Sequence, residues 1–158
     1  NPRLREFELS KIEKKINSNK PEKVRVNSLK WCTKKDVGRV KETRSEKSYT
    51  IRFKVDNPIS EQEAAKSIEA LSGVTLEQET PKRVSHRRAA KTRKRRVTSI
   101  SNILVEEDEI QFSLRCEAGT YVKELVHSDE GRTSPSVSSV IERECVVLWL
   151  DVDEIHAD

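Results

Sequence analysis

Two stretches of the chain alternate most regularly between apolar and polar positions, and each predicts a half-buried β-strand. In the first stretch, every second residue from Tyr49 to Val55 is apolar. In the second stretch, the same holds from Ile110 to Cys116. Weaker patterns predict four further strands, at residues 24–31, at 74–79, at 146–152 and from the second half of residues 82–96 to Ile103.

The N-terminal part of the chain shows helical spacing before the first of these strands. Ser10 is in place to cap a short helix that ends near Asn17, because apolar residues recur there at intervals of three and four. Residues 1–7 look extended, and residues 18–23 are typical of a turn. The polar stretch 33–43 matches neither the helical nor the strand period.

Capping residues and helix breakers predict three more helices. Ser60 and Glu63 have the spacing of a capping box, and the helix that follows is closed by Gly73. The other two helices are predicted at residues 120–127 and 136–142. No internal repeat and no clean linker interrupts this order. The sequence therefore predicts an α+β fold, with a mixed, largely antiparallel sheet and flanking helices.

The composition departs from that of an average globular domain. Hydrophobic residues make up 34% of the 158 residues and charged residues 37%, whereas average domains are roughly half apolar and a quarter charged. Low hydrophobicity with high charge is typical of disorder, but the regular patterning of the apolar residues predicts folded structure. No apolar run is long enough for a transmembrane helix, and no N-terminal stretch resembles a signal peptide.

The three cysteines, Cys32, Cys116 and Cys145, are odd in number and far apart. This spacing argues against a disulfide scaffold and a zinc site, so a reducing intracellular setting is the simpler expectation. His86 and His127 have no histidine or cysteine at ligand spacing, and we expect no metal site. The chain contains no methionine, which favours a piece of a longer or processed protein.

The net charge of +4 hides an uneven distribution. The basic segment, residues 82–96, contains nine lysines and arginines and no acidic residue, and the rest of the chain carries a net charge of −5. A run of this density repels itself unless a negative partner lies beside it, and its six arginines suit bidentate phosphate contacts. Nucleic acid is the first expectation. A solvated loop, a nuclear localisation signal and an acidic protein partner are the alternatives.

Two residues are candidates for chemistry. Lys123 is predicted at the third position of a helix capped by Thr120, where a cation opposes the helix dipole unless an anion lies nearby. Tyr49 is on the apolar face of its strand, where a phenol ring also offers a flat surface for a stacked nucleobase. From position alone, Lys123 is equally an ordinary exposed lysine, and Tyr49 is more often part of a core.

Several ordered segments resemble one enzyme family. They are NPRLREFEL at the N-terminus, KSYTIRF at 47–53, TPKRVSHRRA at 80–89, RCEAGTYVKELVHSDEGRTSPSVSS at 115–139 and LWLDV at 148–152. Together they resemble the C-terminal part of the catalytic domain of the archaeal and eukaryotic pseudouridine synthases that act on the T-loop of tRNA. GTYVK is also similar to the GTYIR segment of the bacterial TruB enzymes. The resemblance covers nearly the whole chain, residues 1–158.

The resemblance implies an activity and a set of site residues. Enzymes of this family detach uracil from its ribose and rejoin it through C5, with an aspartate as nucleophile and without cofactor or metal. By motif, Tyr49 resembles the tyrosine that stacks on the target base, and Lys123 resembles the basic partner of the aspartate. Val140 resembles the hydrophobic residue that lines the uracil pocket, and Tyr121 of GTYVK is expected at the substrate. The residues expected to face the tRNA are Arg83, Arg87, Arg88, Arg93, Arg95 and Arg132.

The chain departs from the family pattern at several positions. The family's nucleophile lies in a G-R-x-D segment shortly before the stretch that resembles NPRLREF, and no aspartate of this chain has that context. The nucleophile and the accessory RNA-binding domain are therefore expected upstream, and the chain alone is expected to be inactive. Ser128 and Glu130 stand where the family usually has a glycine and an aromatic residue, and Ala90 where it often has an acid. An acid at position 130 is expected to weaken phosphate contact nearby.

Functions of different classes are consistent with these residues. The first is a tRNA pseudouridine synthase that isomerises a T-loop uridine, at position fifty-four or fifty-five of tRNA or at both. Its expected partner is tRNA, with no membrane and no obligate protein partner, in the cytoplasm or, for a eukaryotic chain, the nucleus. The alternative is a non-catalytic RNA-binding module that uses residues 82–96, and a third is a protein-interaction domain that binds an acidic partner through the same residues.

Overall fold

The computed structural model describes residues 6–19 and 23–157. The chain divides into two compact units, Asn1–Thr43 and Arg44–Asp158. The turn predicted at 18–23 lies half outside the described residues. The extended stretch predicted at 1–7 lies mostly outside them, and its last two residues belong to a helix.

The first unit contains two helices, α1 (Glu6–Asn19) and α2 (Lys34–Glu42). The predicted first helix is confirmed, but Ser10 lies inside it and is not its N-cap. The strand predicted at 24–31 is wrong, since this segment has no regular secondary structure. An isolated stretch with strand-like alternation needs a neighbour to pair its backbone groups, and here those groups find other partners.

Side chains of α1 take the place of a partner strand. The Asn17 amide donates to the Val26 carbonyl at 2.7 Å and accepts from the Val26 N–H at 2.8 Å. The Glu13 carboxylate accepts from the Leu29 N–H at 3.1 Å. These three hydrogen bonds hold the connecting segment along the helix, and each contributes on the order of 1 kcal/mol.

The polar stretch 33–43 is largely α2, with a side-chain cap at its start. The Thr33 hydroxyl accepts from the Asp36 N–H at 3.2 Å, and the Asp36 carboxylate accepts in return from the Thr33 N–H at 2.8 Å. The Thr33 N–H and the Thr33 hydroxyl, which donates to the same carboxylate at 2.7 Å, lower the pKa of Asp36. Such a reciprocal capping box starts a helix through local hydrogen bonds. For this reason α2 forms although its sequence shows no regular apolar stripe.

The second unit is a six-stranded sheet with three helices. Its elements are β1 (Glu46–Val55), α3 (Glu61–Glu69), β2 (Thr75–Gln78), a 3₁₀ turn (Lys82–Val84), β3 (Arg93–Glu106), β4 (Glu109–Cys116), α4 (Val122–His127), β5 (Thr133–Ser134), α5 (Val137–Ile141) and β6 (Cys145–His156). The strand order is β5-β2-β3-β4-β1-β6, and every neighbouring pair is antiparallel. The predicted α+β class with a largely antiparallel sheet is confirmed.

The helices pack on one face of the sheet and form the core with it. Phe53 of β1 and Phe112 of β4 are fully buried and meet edge to face, with ring centroids 6.0 Å apart. The opposite face of the sheet is polar and carries ion pairs, such as those of Arg52 with Glu106 and Glu109. Among the described residues, no helix combines the length and the hydropathy needed to cross a bilayer.

Two sequence patterns in the second unit were misleading in detail. α3 is capped by Ser60 as predicted, but it ends at Glu69, before the turn that contains Gly73. β6 is present, yet Val146, Leu148 and Val152 are exposed and do not form a buried face. β6 lies at the edge of the sheet, so its apolar alternation has no complete core to pack against.

Candidate active site and nucleic-acid interface

Tyr49 lies on β1 at the margin of the apolar core. At this position β1 pairs with Leu114 of β4 on one side and Val152 of β6 on the other. The ring is partly buried, and burial raises the pKa of its phenol, so the side chain is neutral at pH 7. Its hydroxyl has no hydrogen-bond partner among the described residues. A neutral aromatic ring at the rim of a core is a suitable surface for stacking a nucleobase.

The GTYVK segment, residues 119–123, is held by a buried glutamine that the sequence reasoning missed. The Gln78 amide donates to the Tyr121 carbonyl at 3.0 Å and accepts from the Tyr121 N–H at 2.9 Å. It also donates to the Thr133 hydroxyl at 3.2 Å. The available signal was a polar residue at an inward position, since Leu76, two residues earlier on β2, is also fully buried. Gln78 therefore fixes the backbone from which α4 begins.

Gly119 brings the same segment close to Arg95. Its φ is +79°, and a Cβ at this position would lie 3.4 Å from the Arg95 guanidinium. Arg95 is largely covered, and its Nη1 lies 3.9 Å from the Glu117 carboxylate. Its Nε is buried and has no hydrogen-bond partner in the described part of the chain. Arg95, expected at the tRNA, thus packs against the loop, and its contact with RNA stays a prediction.

Lys123 is the exposed cation of α4. The N-cap of this helix is Tyr121 rather than the predicted Thr120, so Lys123 occupies the second helical position and not the third. Its side chain forms no hydrogen bond or ion pair with any residue that the structure describes. α4 packs on the core that Tyr49 borders. The ammonium and the tyrosine are therefore carried on the same side of the sheet, and the ammonium is available to a carboxylate.

The next residue of α4 is buried instead. Glu124 is 1% exposed, and Arg83 donates to it from Nε at 2.6 Å and from Nη2 at 3.3 Å. The Arg83 guanidinium also lies 6.0 Å from the centroid of the Tyr121 ring. The hydrogen bond to Glu124 raises the pKa of Arg83. Arg83 thus ties the basic segment to α4, and its predicted contact with tRNA is not tested by this geometry.

Val140 lies on α5 and is partly buried against the same core as Tyr49. The predicted short helix is confirmed, and it begins with a capping box between Ser136 and Ser139. Because Val140 is neither fully buried nor fully exposed, it offers apolar surface at the rim of the core. That location is compatible with lining a pocket for an uncharged base.

The N-terminal half of the basic segment folds into a loop around Thr80. The Thr80 hydroxyl donates to the Ala89 carbonyl at 2.7 Å and accepts from the Lys91 N–H at 3.0 Å. Arg93 donates to the same oxygen at 3.2 Å. One threonine therefore shapes the loop, and the residues after it enter β3 as predicted.

An open polar cleft of about 490 Å³ lies beside this loop. Arg88, Lys91 and Arg132 line it, with Glu79 as the acidic residue of its wall. The Arg87 and Arg88 guanidinium groups are exposed and have no partner among the described residues. The fold thus brings Arg132, distant in sequence, to the cations of the basic segment. A concave surface with several cations suits phosphate groups.

Glu130 shares the charge of two of these cations. The Arg132 Nη1 lies 3.2 Å from one Glu130 carboxylate oxygen, and the Lys82 Nζ lies 3.3 Å from the other. Hydrogen bonds to both cations lower the pKa of Glu130. The expectation that an acid at this position weakens phosphate contact is consistent with this arrangement and stays a prediction.

The cysteines and histidines do not assemble into a site. Cys116 and Cys145 are buried, and burial raises their pKa values to about 11 and about 12 respectively. Cys32 is exposed. Within the described ranges, no group of three or more histidine, cysteine, aspartate or glutamate side chains is placed to hold a metal ion.

Relatives of the chain are found among archaeal and eukaryotic proteins. It is 36% identical over 155 residues to the tRNA pseudouridine synthase Pus10 of Methanocaldococcus jannaschii, which covers 98% of this chain and 34% of the relative. It is 37% identical over 155 residues to the enzyme of the same name from Methanopyrus kandleri, a match that covers 97% of this chain and 36% of the relative. It is 32% identical over 152 residues to that of Homo sapiens, and this match covers 96% of this chain and 28% of the relative. The chain spans about a third of the length of the curated relatives it matches.

Solved structures of lower identity share the fold. A crystal structure of a Cbf5–Nop10–Gar1 complex matches 71% of this chain and 31% of that chain, with a TM-score of 0.58 and 20% identity. A structure of an H/ACA RNP bound to a substrate RNA containing 2′-deoxyuridine matches 71% of this chain and 29% of that chain. Its TM-score is 0.51 and its sequence identity is 17%. The sequence also matches the family described as Pus10, C-terminal, over residues 1–156. The chain therefore belongs to the Pus10 C-terminal family.

Proposed function

We propose that this chain is the C-terminal part of the catalytic domain of a tRNA pseudouridine synthase that modifies the T-loop. The family match over residues 1–156 carries this proposal. It is supported by the arrangement of Tyr49, Val140 and α4 around one apolar core. The proposed substrate is the uridine at position fifty-four or fifty-five of tRNA, or both. The proposed location is the cytoplasm or nucleus, with tRNA as partner and neither a membrane nor an obligate protein partner.

Each proposed site residue has a role that its surroundings support. Tyr49 stacks on the target uracil, because its ring is neutral and partly exposed. Lys123 pairs with the nucleophilic aspartate, because its ammonium has no partner among the described residues. Val140 contributes apolar surface to the base pocket, and Tyr121 contacts the substrate beside it. Gln78 acts as a positioning residue, because its two hydrogen bonds to the Tyr121 backbone hold the residue that caps α4.

The nucleophile of the proposed reaction is an aspartate outside this sequence, so the chain alone is expected to form no pseudouridine. The test is a T-loop tRNA transcript incubated with the chain and with a chimera. The chimera joins this chain to the part of the M. jannaschii relative that lies outside the matched region. We expect pseudouridine only with the chimera, loss of it in Lys123→Ala, and recovery in Lys123→Arg, because Arg keeps the charge. Circular dichroism and tRNA binding verify that each variant folds.

The outcomes separate the enzyme from the RNA-binding module. Pseudouridine formed by the chain alone contradicts the proposed upstream nucleophile. A chimera that folds and binds tRNA but forms no pseudouridine contradicts the enzyme proposal and favours the binding module. Equal binding to tRNA and to an acidic protein of similar charge density favours the protein-interaction domain.

The basic segment is proposed to hold the tRNA backbone, and four of its six arginines differ clearly in their surroundings. Arg87 and Arg88 are exposed and without partners among the described residues, whereas Arg83 and Arg95 are packed against the GTYVK side of the unit. Arg87→Ala with Arg88→Ala is expected to weaken binding and to reduce the slope of log K against log salt by about 0.7–0.9 per lost phosphate contact. An unchanged slope contradicts the proposal. Lys54→Ala with Lys66→Ala, at exposed positions of the second unit outside the basic segment, is the control that removes the same number of charges.

A further inference from the structure

The first unit, Asn1–Thr43, is a second basic region that the charge of the whole chain conceals. Its 43 residues include 13 lysines and arginines and 6 acidic residues, a net charge of +7. It also carries Trp31, one of only two tryptophans in the chain, with 54% of the residue exposed. An indole exposed on a strongly basic unit is unusual for a side chain whose role is packing, and it points to a ligand with both charge and aromatic surface.

Trp31 forms a surface with α2 that we name the Trp31 face. The face is an open cleft of about 670 Å³ whose apolar lining comes from Trp31, Val37 and Val40. Lys30 and Arg39 lie at its border, with Asp36 as the acidic residue of the lining. Val40 is 76% exposed, so no described residue of the first unit covers this side of the helix.

Further cations stand in the first turn of α2. Lys34 and Lys35 follow the Thr33 N-cap directly, and both are exposed without a partner among the described residues. Lysines in this turn oppose the helix dipole, which Asp36 of the same turn offsets in part and a bound anion would offset further. They follow Trp31 by three and four residues along the chain, and Lys30 lines the cleft together with the indole.

The Trp31 face is held in position by local bonds on both sides. Leu29, two residues before the indole, is bonded through its N–H to Glu13 of α1. Thr33, two residues after it, is bonded to Asp36 in the capping box of α2. The backbone around Trp31 is therefore ordered before a ligand arrives, which reduces the entropy lost on binding.

From these observations we propose that the first unit binds an unpaired nucleobase of RNA, stacked on the Trp31 indole, with neighbouring phosphates bound by Lys34 and Lys35. Basic surfaces with an exposed aromatic side chain are the usual means of binding single-stranded nucleic acid, and the net charge of +7 makes RNA more complementary than an apolar protein surface. The inference rests on the proposed function for the RNA itself, a T-loop hairpin. It adds a contact that no family motif indicated.

The test uses the chain in a Trp149→Phe background, so that Trp31 is the sole tryptophan. The protein is titrated with a T-loop hairpin RNA while binding is followed independently by the anisotropy of a label on the RNA. We expect acrylamide to quench Trp31 readily in the free protein, and the RNA to quench its emission with the same midpoint as the anisotropy. Trp31→Ala is expected to weaken binding by about 5- to 150-fold and Trp31→Phe by less, because stacking is worth roughly 1–3 kcal/mol per base. Val24→Ala, at another exposed apolar position of the same unit, is the control.

The outcomes distinguish this inference from the proposed function. If the RNA binds while Trp31 emission and the affinity of Trp31→Ala stay unchanged, the inference is wrong and RNA binding by the second unit stands. If no RNA binds at all, the RNA-binding part of the proposed function fails together with the inference. If polyglutamate quenches Trp31 as strongly as RNA at equal charge, an acidic polypeptide replaces RNA as the ligand and the inference is overturned.

Discussion

The two units of this chain are stabilised in different ways. Every side chain that is buried among the described residues belongs to Arg44–Asp158, and none belongs to Asn1–Thr43. The second unit, outside the basic segment, holds 9 basic and 21 acidic residues, whereas the first holds 13 and 6. Hydrophobic burial therefore stabilises the second unit, and capping and side-chain hydrogen bonds order the first.

This difference indicates how work is divided between the units. A unit whose described residues include no buried side chain gains little from apolar burial, so we expect it to open locally at low free energy. Its net charge of +7 makes it better suited to a polyanion than to holding a reacting base. The second unit has the rigid core that accurate placement of Tyr49 and Lys123 requires.

The reactivity of the three cysteines is expected to show the largest contrast between the units. At pH 8, Cys32 reacts with a thiol reagent at the rate of an exposed thiol, whereas Cys116 and Cys145 react only after unfolding, more than about a thousandfold slower. Mass spectrometry of the labelled protein, with and without denaturant, measures how many thiols react in the folded and in the unfolded chain. Early labelling of Cys116 contradicts the contrast.

The same buried thiols predict how stability depends on pH. Burial raises the pKa of Cys116 from 9.0 to about 11, so above pH 9 the folded chain holds a proton that the unfolded chain loses. The contribution to the free energy of unfolding is complete below pH 9 and declines as the pH rises toward 11. Cys116→Ala is expected to show a weaker decline in urea unfolding measured between pH 8.5 and 10.5. An equal decline in both proteins contradicts the assignment.

Phe112→Ala is expected to lower the free energy of unfolding by about 3–5 kcal/mol, because it removes a fully buried ring and its edge-to-face partner contact. Urea denaturation measures the loss. Hydrogen exchange in residues 24–30 of the first unit is expected to stay unchanged. A parallel loss of protection there shows that the two units are a single cooperative structure.

Gln78→Leu is expected to cost about 1–3 kcal/mol, since the backbone N–H and carbonyl of Tyr121 lose their buried partner. Its more informative effect is on the position of α4, because Gln78 holds Tyr121, the N-cap of that helix. In the chimera proposed above, we expect the rate of pseudouridine formation to fall while tRNA affinity holds. Glu77→Leu, the outward-facing neighbour on the same strand, is the control. If rate and affinity fall together, Gln78 supports the whole fold rather than the position of GTYVK.

Asn17→Ala is expected to have the smallest effect, about 1–2 kcal/mol and confined to the first unit. The substitution removes both hydrogen bonds to Val26. Hydrogen exchange of residues 24–30 is expected to accelerate, and the urea midpoint of the second unit to stay fixed. Ser18→Ala, in the same helical turn, is the control. Unchanged exchange in both variants shows that the segment is ordered by other contacts.

Five of the six strands of the second unit were predicted and the two-residue β5 was missed, whereas the strand predicted in the first unit is wrong. The two alternating stretches, Tyr49–Val55 and Ile110–Cys116, lie on strands that pair with each other. Each locally predicted strand therefore has a tertiary partner. The segment around Val26 has a similar alternation but no partner strand, and Asn17 bonds its backbone. Alternation describes a surface able to pair, and only the whole fold decides whether a neighbour is present.

The sequence indicated the candidate site residues but not the buried polar residues that hold them in place. Family motifs indicated Tyr49, Lys123 and Val140, and their roles remain proposals. Gln78 and the pair of Glu124 with Arg83 were missed, because each joins residues more than forty positions apart. No local pattern distinguishes a buried, bonded polar side chain from an exposed one.

The sequence by itself determined the fold class, the main strands and the concentration of charge in residues 82–96, because each depends on residue type and local period. Only the tertiary structure decided which cations are free. It placed Arg95 against Gly119 and left Arg88 exposed beside a cleft, although both belong to the same basic run. It also left Trp31 exposed on a basic unit whose described residues include no buried side chain. Burial and pairing are properties of contacts between distant parts of the chain, and for that reason they cannot be read from local sequence alone.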